Sequence, residues 1–215
     1  FAAYGFNKAH AASYGRVAYQ TAYMKANYPT TYMASILSAE SGNLETISEI
    51  MAECKRMHID VLPPDVNESL ADFSVVTKEM SGDNTERIRF GLYSIKNFGE
   101  GIADSIIAER KENGPFVSLE DFLSRIKDKN LNKKSLESLI KAGALDAFGE
   151  RGSMLANLPD LLAHHKHAAL QSSDQSSLFG ATPFASAPLK LKEAPAATRE
   201  EKLAWEKDLL GLYIS

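Results

Sequence analysis

The chain has 215 residues, 44% hydrophobic and 24% charged, with 24 basic against 28 acidic side chains. That length suits one large or two small domains with a buried core, and a net charge of −4 excludes a uniformly basic nucleic-acid coat. A single cysteine, Cys54, excludes a disulfide framework or a cysteine zinc site and suits a reducing compartment. No apolar run approaches the ~20 residues of a membrane span, and no signal peptide opens the chain, so a cytoplasmic protein without a membrane partner is expected. The start at Phe1 and the end on Ile214-Ser215 read as cuts in something longer.

Charge is unevenly spread. Residues 1–39 hold three basic side chains (Lys8, Arg16, Lys25) and no acid, together with Tyr4, Tyr14, Tyr19, Tyr23, Tyr28 and Tyr32. Alanine content and the lack of internal proline predict a helix over 7–27, ended by Tyr28-Pro29, and a second over 30–39. Asn43 is placed to cap a third, with Leu44, Ile47, Ile50, Met51, Cys54 and Met57 at helical spacing. Residues 1–60 thus form one helical unit. Val61-Leu62-Pro63-Pro64-Asp65 then reads as an extended connector. Alternation at Phe73, Val75, Thr77 and at Ile88, Phe90, Leu92, around the turn residues Ser81-Gly82-Asp83-Asn84, predicts an antiparallel hairpin within 61–92.

From 93 to 170 the pattern is helical in short pieces. Ile95-Lys96-Asn97 leads into Phe98-Gly99-Glu100-Gly101-Ile102, and a helix through Ala103, Ile106, Ile107 and Arg110 stops at Gly114-Pro115. Ser118 with Asp121 caps a helix through Phe122, Leu123 and Ile126; Asn132 caps another through Leu136, Leu139 and Ile140, broken at Gly143. A leucine-rich helical stretch follows Gly152 and is split by Pro159. Residues 171–197 are Ser/Ala/Pro-rich and read as a linker, and Thr198 with Glu201 opens a last helix within 198–215. The fold class is mainly α with a small β-hairpin connector.

Gly99-Glu100-Gly101, set between apolar Phe98 and Ile102, is the strongest local motif. Glycines there admit φ > 0 and leave backbone N–H groups open to a phosphate oxygen, or they simply permit a tight interhelix turn. A second glycine turn, Ala142-Gly143-Ala144-Leu145, lies near Arg125, Lys127, Lys129, Lys133, Lys134 and Lys141, set against Asp128 and Glu137. This +4 stretch is a footprint for duplex DNA or a solvated basic face. Asn7, Lys8 and His10 within one turn, with Tyr14 a turn on, suit triphosphate oxygens and a base; spacing alone favours core tyrosines on an amphipathic helix. His164, His165 and His167 lack further metal ligands, and no Walker loop, dinucleotide fingerprint, nucleophile set or aspartate pair is present. Gln175-Ser176-Ser177-Leu178-Phe179-Gly180, in a polar linker, suits an apolar cleft of a partner or is a chance occurrence.

Several of these stretches together resemble one family. Tyr4-Gly5-Phe6-Asn7-Lys8-Ala9-His10-Ala11-Ala12-Ser13-Tyr14 and Tyr19-Gln20-Thr21-Ala22-Tyr23-Met24-Lys25 are similar to the fingers domain of the C-family bacterial replicative DNA polymerases, the polymerase III alpha family. Val61-Leu62-Pro63-Pro64-Asp65-Val66-Asn67 and Ile88-Arg89-Phe90-Gly91-Leu92 resemble its connector. Residues 96–110 and 138–149 resemble its tandem helix-hairpin-helix module, and 203–215 the lead into an OB domain absent here.

The resemblance implies a DNA-directed DNA polymerase as the full-length protein. Asn7, Lys8, His10 and Tyr14 would face incoming dNTP. Lys96, Gly99, Gly101, Lys133, Lys134, Lys141 and Gly143 would hold primer–template duplex, and Gln175, Leu178 and Phe179 would bind the sliding clamp. Other replicase subunits are further expected partners. The family's catalytic aspartates and Mg2+ belong to a palm preceding this segment, so the chain alone is expected to carry no cofactor and no polymerase activity. The alternative is a non-catalytic helix-hairpin-helix DNA-binding module of a repair or junction protein; a helical scaffold using residues 175–180 for protein contact is a third option.

Overall fold

The computed structural model describes residues 8–77, 85–171 and 189–214. Helix α1 (Lys8–Asn27) opens the described chain and is exposed at every residue from Ala12 to Met24. Its foot is tied by the Tyr28 N–H to the Met24 carbonyl, 2.8 Å, and by Lys25 Nζ to Glu53, 2.6 Å. Helix α2 (Pro29–Ala39) starts on proline, which lacks the N–H a first turn cannot use, and buries Thr30, Met33, Ala34 and Leu37. Helix α3 (Leu44–Arg56) is capped by Asn43 as its sequence predicts and buries Ile47, Ile50 and Cys54.

Three short strands follow. β2 (Ser74–Thr77) pairs antiparallel with β3 (Glu86–Arg89), Val75 opposite Ile88, so the hairpin expected from alternation is present; its turn at 81–84 lies outside the described residues. Val61-Leu62, expected only as extended connector, is a third strand, β1 (Val61–Leu62), parallel to β3. Pairing is favoured because β3 is otherwise an open edge: Ile88 N–H donates to the Asp60 carbonyl and Phe90 N–H to that of Leu62. Phe73 and Phe90, both buried, pack with ring centroids 4.4 Å apart and planes tilted by 60°.

The helical module begins with a single 3-10 turn at Leu92–Ser94. Next come α4 (Glu100–Asn113), α5 (Leu119–Arg125) and α6 (Lys133–Lys141), a 3-10 turn at Asp146–Phe148, then α7 (Arg151–Ala156) and α8 (Leu158–Gln171). Local signals place their ends: Gly114 at φ +82 stops α4, Ser118 caps α5, Asn132 and Ser135 form a capping box on α6, and Pro159 sits in the first turn of α8. His165 is buried, its Nδ1 3.0 Å from the Leu123 carbonyl, joining α8 to α5. Arg110 of α4 donates to the carbonyls of Val66 and Ser69 and so fastens the module to the connector. Helix α9 (Arg199–Leu210) opens on the predicted Thr198–Glu201 capping box.

Residues 189–197 depart from the linker expectation. They are fastened to α7 and α8 by hydrogen bonds, with Leu189 and Leu191 packed against the core. The side chain of Asn157, buried, brackets the Lys192 backbone: its Nδ2 donates to the Lys192 carbonyl at 3.0 Å, and its Oδ1 accepts the Lys192 N–H at 2.8 Å. Ala197 N–H donates to Glu150, 3.0 Å, and the strap passes so close to Gly152 that a Cβ there would lie 2.6 Å from Pro195 O and Ala197 N. Low charge and proline content read as linker, but they equally suit an irregular segment docked through its main chain. Buried apolar side chains from Met33 to Leu212 form one cluster.

Candidate nucleic-acid interface

The turn into α4 is built from inside by Phe98, buried in the core, and by Asn97, which carries the left-handed backbone at φ +64. The expectation that the glycine pair supplies φ > 0 is therefore corrected. Gly99 is extended at φ −77, and Gly101 lies in the first helical turn. A Cβ at either glycine meets nothing within 4 Å. The fold itself thus requires neither glycine, and what they provide is bare backbone facing outward. Gly99 gives α4 no side-chain cap. The N–H groups of Glu100, Gly101 and Ile102 have no protein acceptor among the described residues, the first helical bond being Ala103 N–H to Gly99 O at 3.3 Å. Three donors at the positive end of a 14-residue helix make a ready anion site, opposed only by the Glu100 carboxylate in the first turn. Lys96, just upstream, pairs with Asp208 of α9 at 2.9 Å, both groups exposed.

The second glycine turn is constructed differently. Gly143 has φ +83, and a Cβ there would lie 2.3 Å from Arg151 Nη2 and 3.0 Å from Asp146 Oδ2. Here the fold itself demands glycine. The N–H groups of Gly143 and Ala144 donate to the carbonyls of Ile140 and Leu139, both at 3.0 Å, while the Ala144 carbonyl accepts from Val66 N–H. Burial disfavours the Arg151 charge, but the carboxylates of Asp146 and Glu206 outweigh it and raise its pKa above the ordinary arginine value.

Of the six cations read as a patch, two are committed elsewhere. Arg125, expected in the basic face, is a structural tie: it pairs with Glu109 at 2.9 Å and Asp121 at 3.1 Å, donates to the Gly114 carbonyl and lies 4.4 Å over the Phe116 ring. Lys141 pairs with Glu137 at 2.6 Å and sits 5.9 Å from the Trp205 ring. Lys127, Lys129, Lys133 and Lys134 are exposed and have no ion-pair partner among the described residues. Asp128 accepts from Ser105 Oγ at 3.0 Å, which holds the Lys127–Lys129 loop against α4. The open backbone of the first hairpin and the uncommitted lysines are thereby joined through one loop.

On α1, the rings of His10 and Tyr14 meet at 5.4 Å between centroids. Asn7 lies outside the described residues and Lys8 starts the helix. The tyrosines of α1 are exposed (Tyr14 66%, Tyr19 70%), so the core reading that spacing favoured is corrected for this chain. Gln175, Leu178 and Phe179 lie outside the described residues. Among the described residues no three His, Cys, Asp or Glu side chains gather for a metal ion, and none is a long apolar membrane-crossing helix. Three residues central to this architecture, Arg151, Asn157 and Glu206, carry no local sequence signal; their partners lie 55 residues away for the Arg151–Glu206 pair and 35 for Asn157–Lys192.

Residues 58–154 match a family model described as "Helix-hairpin-helix motif". The whole chain is 45% identical over 215 residues to the DNA polymerase III subunit alpha of Thermus aquaticus, of which it covers 17%. It is 44% identical over 220 residues to that of Deinococcus radiodurans (16% covered) and 39% over 223 residues to that of Chlamydia trachomatis (17% covered). The chain thus spans about 17% of the length of the curated relatives it matches. From end to end it is homologous to a segment of the DNA polymerase III alpha subunits, and it carries a helix-hairpin-helix element.

Proposed function

We propose that this chain grips the primer–template duplex of a replicative DNA polymerase, through the bare N-terminus of α4 and the lysines at 127–134. The observation that carries the reading is the pair Gly99 and Gly101: inside a helix-hairpin-helix match, glycine stands at two positions where a Cβ would meet nothing within 4 Å. Backbone N–H groups there bind phosphate oxygens without reading sequence, so contact with any duplex is expected. Lys96 and Lys141, each in an exposed or half-buried ion pair, add cations that a phosphate can recruit by exchange.

In the same reading, His10 and Tyr14, with Asn7 and Lys8, face the incoming nucleotide, and residues 175–180 dock on the sliding clamp; other replicase subunits are further partners. The full-length protein is a DNA-directed DNA polymerase, and this segment alone has no activity. No step of phosphoryl transfer is assigned to the described residues, and the metal chemistry of such a polymerase belongs in this reading to another segment.

The test is fluorescence anisotropy of a labelled duplex against the chain and against Gly99→Val/Gly101→Val. Micromolar or tighter binding by the parent, weakening as salt rises, with clear loss in the variant, is expected. Equal affinity of the two proteins would leave the hairpin as architecture. Templated primer extension by the chain with magnesium would overturn the assignment of chemistry to other segments.

A further inference from the structure

The stretch from Lys127 to Lys134 carries four lysines and one acid, and the fold turns the acid inward. Lys127 and Lys129 are exposed, whereas Asp128 between them is half-buried, with both carboxylate oxygens engaged. Oδ1 accepts the Asn130 N–H at 2.8 Å, and the Asp128 carbonyl accepts the Leu131 N–H at 3.0 Å, which closes 128–131 into a turn. Oδ2 accepts from Ser105 Oγ at 3.0 Å, and that hydroxyl also lies 3.0 Å from the Gly101 carbonyl in the first turn of α4. Ile126 and Leu131, each 2% exposed, root the two ends of the loop in the core. One carboxylate and one hydroxyl thus pin the lysine loop to the turn whose N–H groups stand open.

We propose that Asp128 is a positioning residue for duplex contact: by tying its loop to Ser105 it holds Lys127 and Lys129 at a fixed offset from the open start of α4, so that loop and helix meet phosphates of one duplex together. The inference rests on the reading of α4 and these lysines as a duplex grip. On charge alone an acid between two phosphate-seeking lysines is a liability, because it lowers the local attraction for DNA. Its geometric contribution has the opposite sign. A loop already held in place loses little conformational freedom when DNA binds, whereas a released one must be ordered on binding, which weakens affinity. The two effects are separable. In Asp128→Asn the charge is gone but the ties remain: the amide oxygen accepts the Asn130 N–H, and the amide nitrogen donates to Ser105 Oγ, whose own proton turns to the Gly101 carbonyl.

The experiment measures affinity for a labelled duplex of mixed sequence across a range of salt, at a temperature where melting curves show every protein folded. The whole chain is compared with Asp128→Ala and Asp128→Asn. Expected for Asp128→Ala are a loss of about fivefold or more, despite the gained positive charge, and a salt slope shallower by about one to two as the lysine contacts are lost. Asp128→Asn should bind at least as tightly as the parent, with a slope no shallower. The proposal is overturned if Asp128→Ala binds as well as the parent, loses affinity at an unchanged slope, or is matched in its loss by Asp128→Asn. Those results leave the duplex grip standing; a parent that binds no duplex removes the grip and this inference with it. Should Asp128→Ala fail to fold, Ser105→Ala cuts the same tie from the helix side at constant charge and is judged by the same outcomes.

Discussion

Replacing Gly101 by alanine separates what the fold needs from what a ligand needs. Gly101 lies in the first turn of α4 without positive φ, and a Cβ there meets nothing within 4 Å. The methyl group has room, and it removes backbone freedom from the unfolded chain, a gain of about 0.5–1 kcal/mol at compatible helical positions. For a domain of this size each kcal/mol moves the melting temperature by about 2–4 °C, so a rise of roughly 1–4 °C is expected. Duplex binding moves the other way. A phosphate oxygen must come within about 2.9 Å of an amide nitrogen, and a methyl on the same exposed backbone holds it off. Losing one hydrogen bond to a charged group costs about 1.5–3 kcal/mol, or roughly ten- to a hundredfold in affinity. The assay is a melt by circular dichroism beside anisotropy with a labelled duplex at fixed ionic strength. A more stable protein that binds DNA as well as the parent would refute backbone contact there. A lower melting temperature would refute the reading that this glycine faces open space.

Gly143→Ala should behave in the opposite sense: left-handed strain and displacement of the Arg151 guanidinium, 2.3 Å away, are expected to cost about 3 kcal/mol and lower the melting temperature by roughly 6–12 °C. The Glu53 carboxyl is held down to about 2, from 4.5, by hydrogen bonds from Arg56 and then Lys25. Its folded pKa is depressed, so its contribution is complete above about pH 4.5 and is lost as pH falls toward 2. The tie between α1 and α3 should therefore loosen across that window, seen as increasing amide exchange near Lys25, and Glu53→Gln should abolish the pH dependence. Leu178→Ala with Phe179→Ala should eliminate sliding-clamp binding in surface plasmon resonance and leave duplex affinity unchanged; retained clamp binding removes the motif from contention.

Much of the helical framework was legible because its signals are local. The side chains of Asn43, Ser118, Asn132 and Thr198 each accept from a backbone N–H within three residues, and Gly114, Pro159 and Pro29 act through their own backbone. The pieces that were not legible are made by distant partners. Arg125 reads as one of six cations until Glu109, 16 residues earlier, takes it up. Val61-Leu62 reads as a connector until β3 offers an open edge. The two glycine turns look alike in sequence, yet one is glycine for the outside and the other for an arginine beneath it; only the space around each Cα distinguishes them. Tyrosine spacing on α1 suggested burial because periodicity reports a preferred face and not whether anything covers it.

The strap at 189–197 gives α9 a fixed point of departure. Asn157 holds Lys192 through both main-chain groups, and Glu150, which caps α7, also accepts the Ala197 N–H and pairs with Lys202 in the first turns of α9. One carboxylate thus sets the starts of two helices together, although they lie nearly fifty residues apart in sequence, and its loss would free both at once.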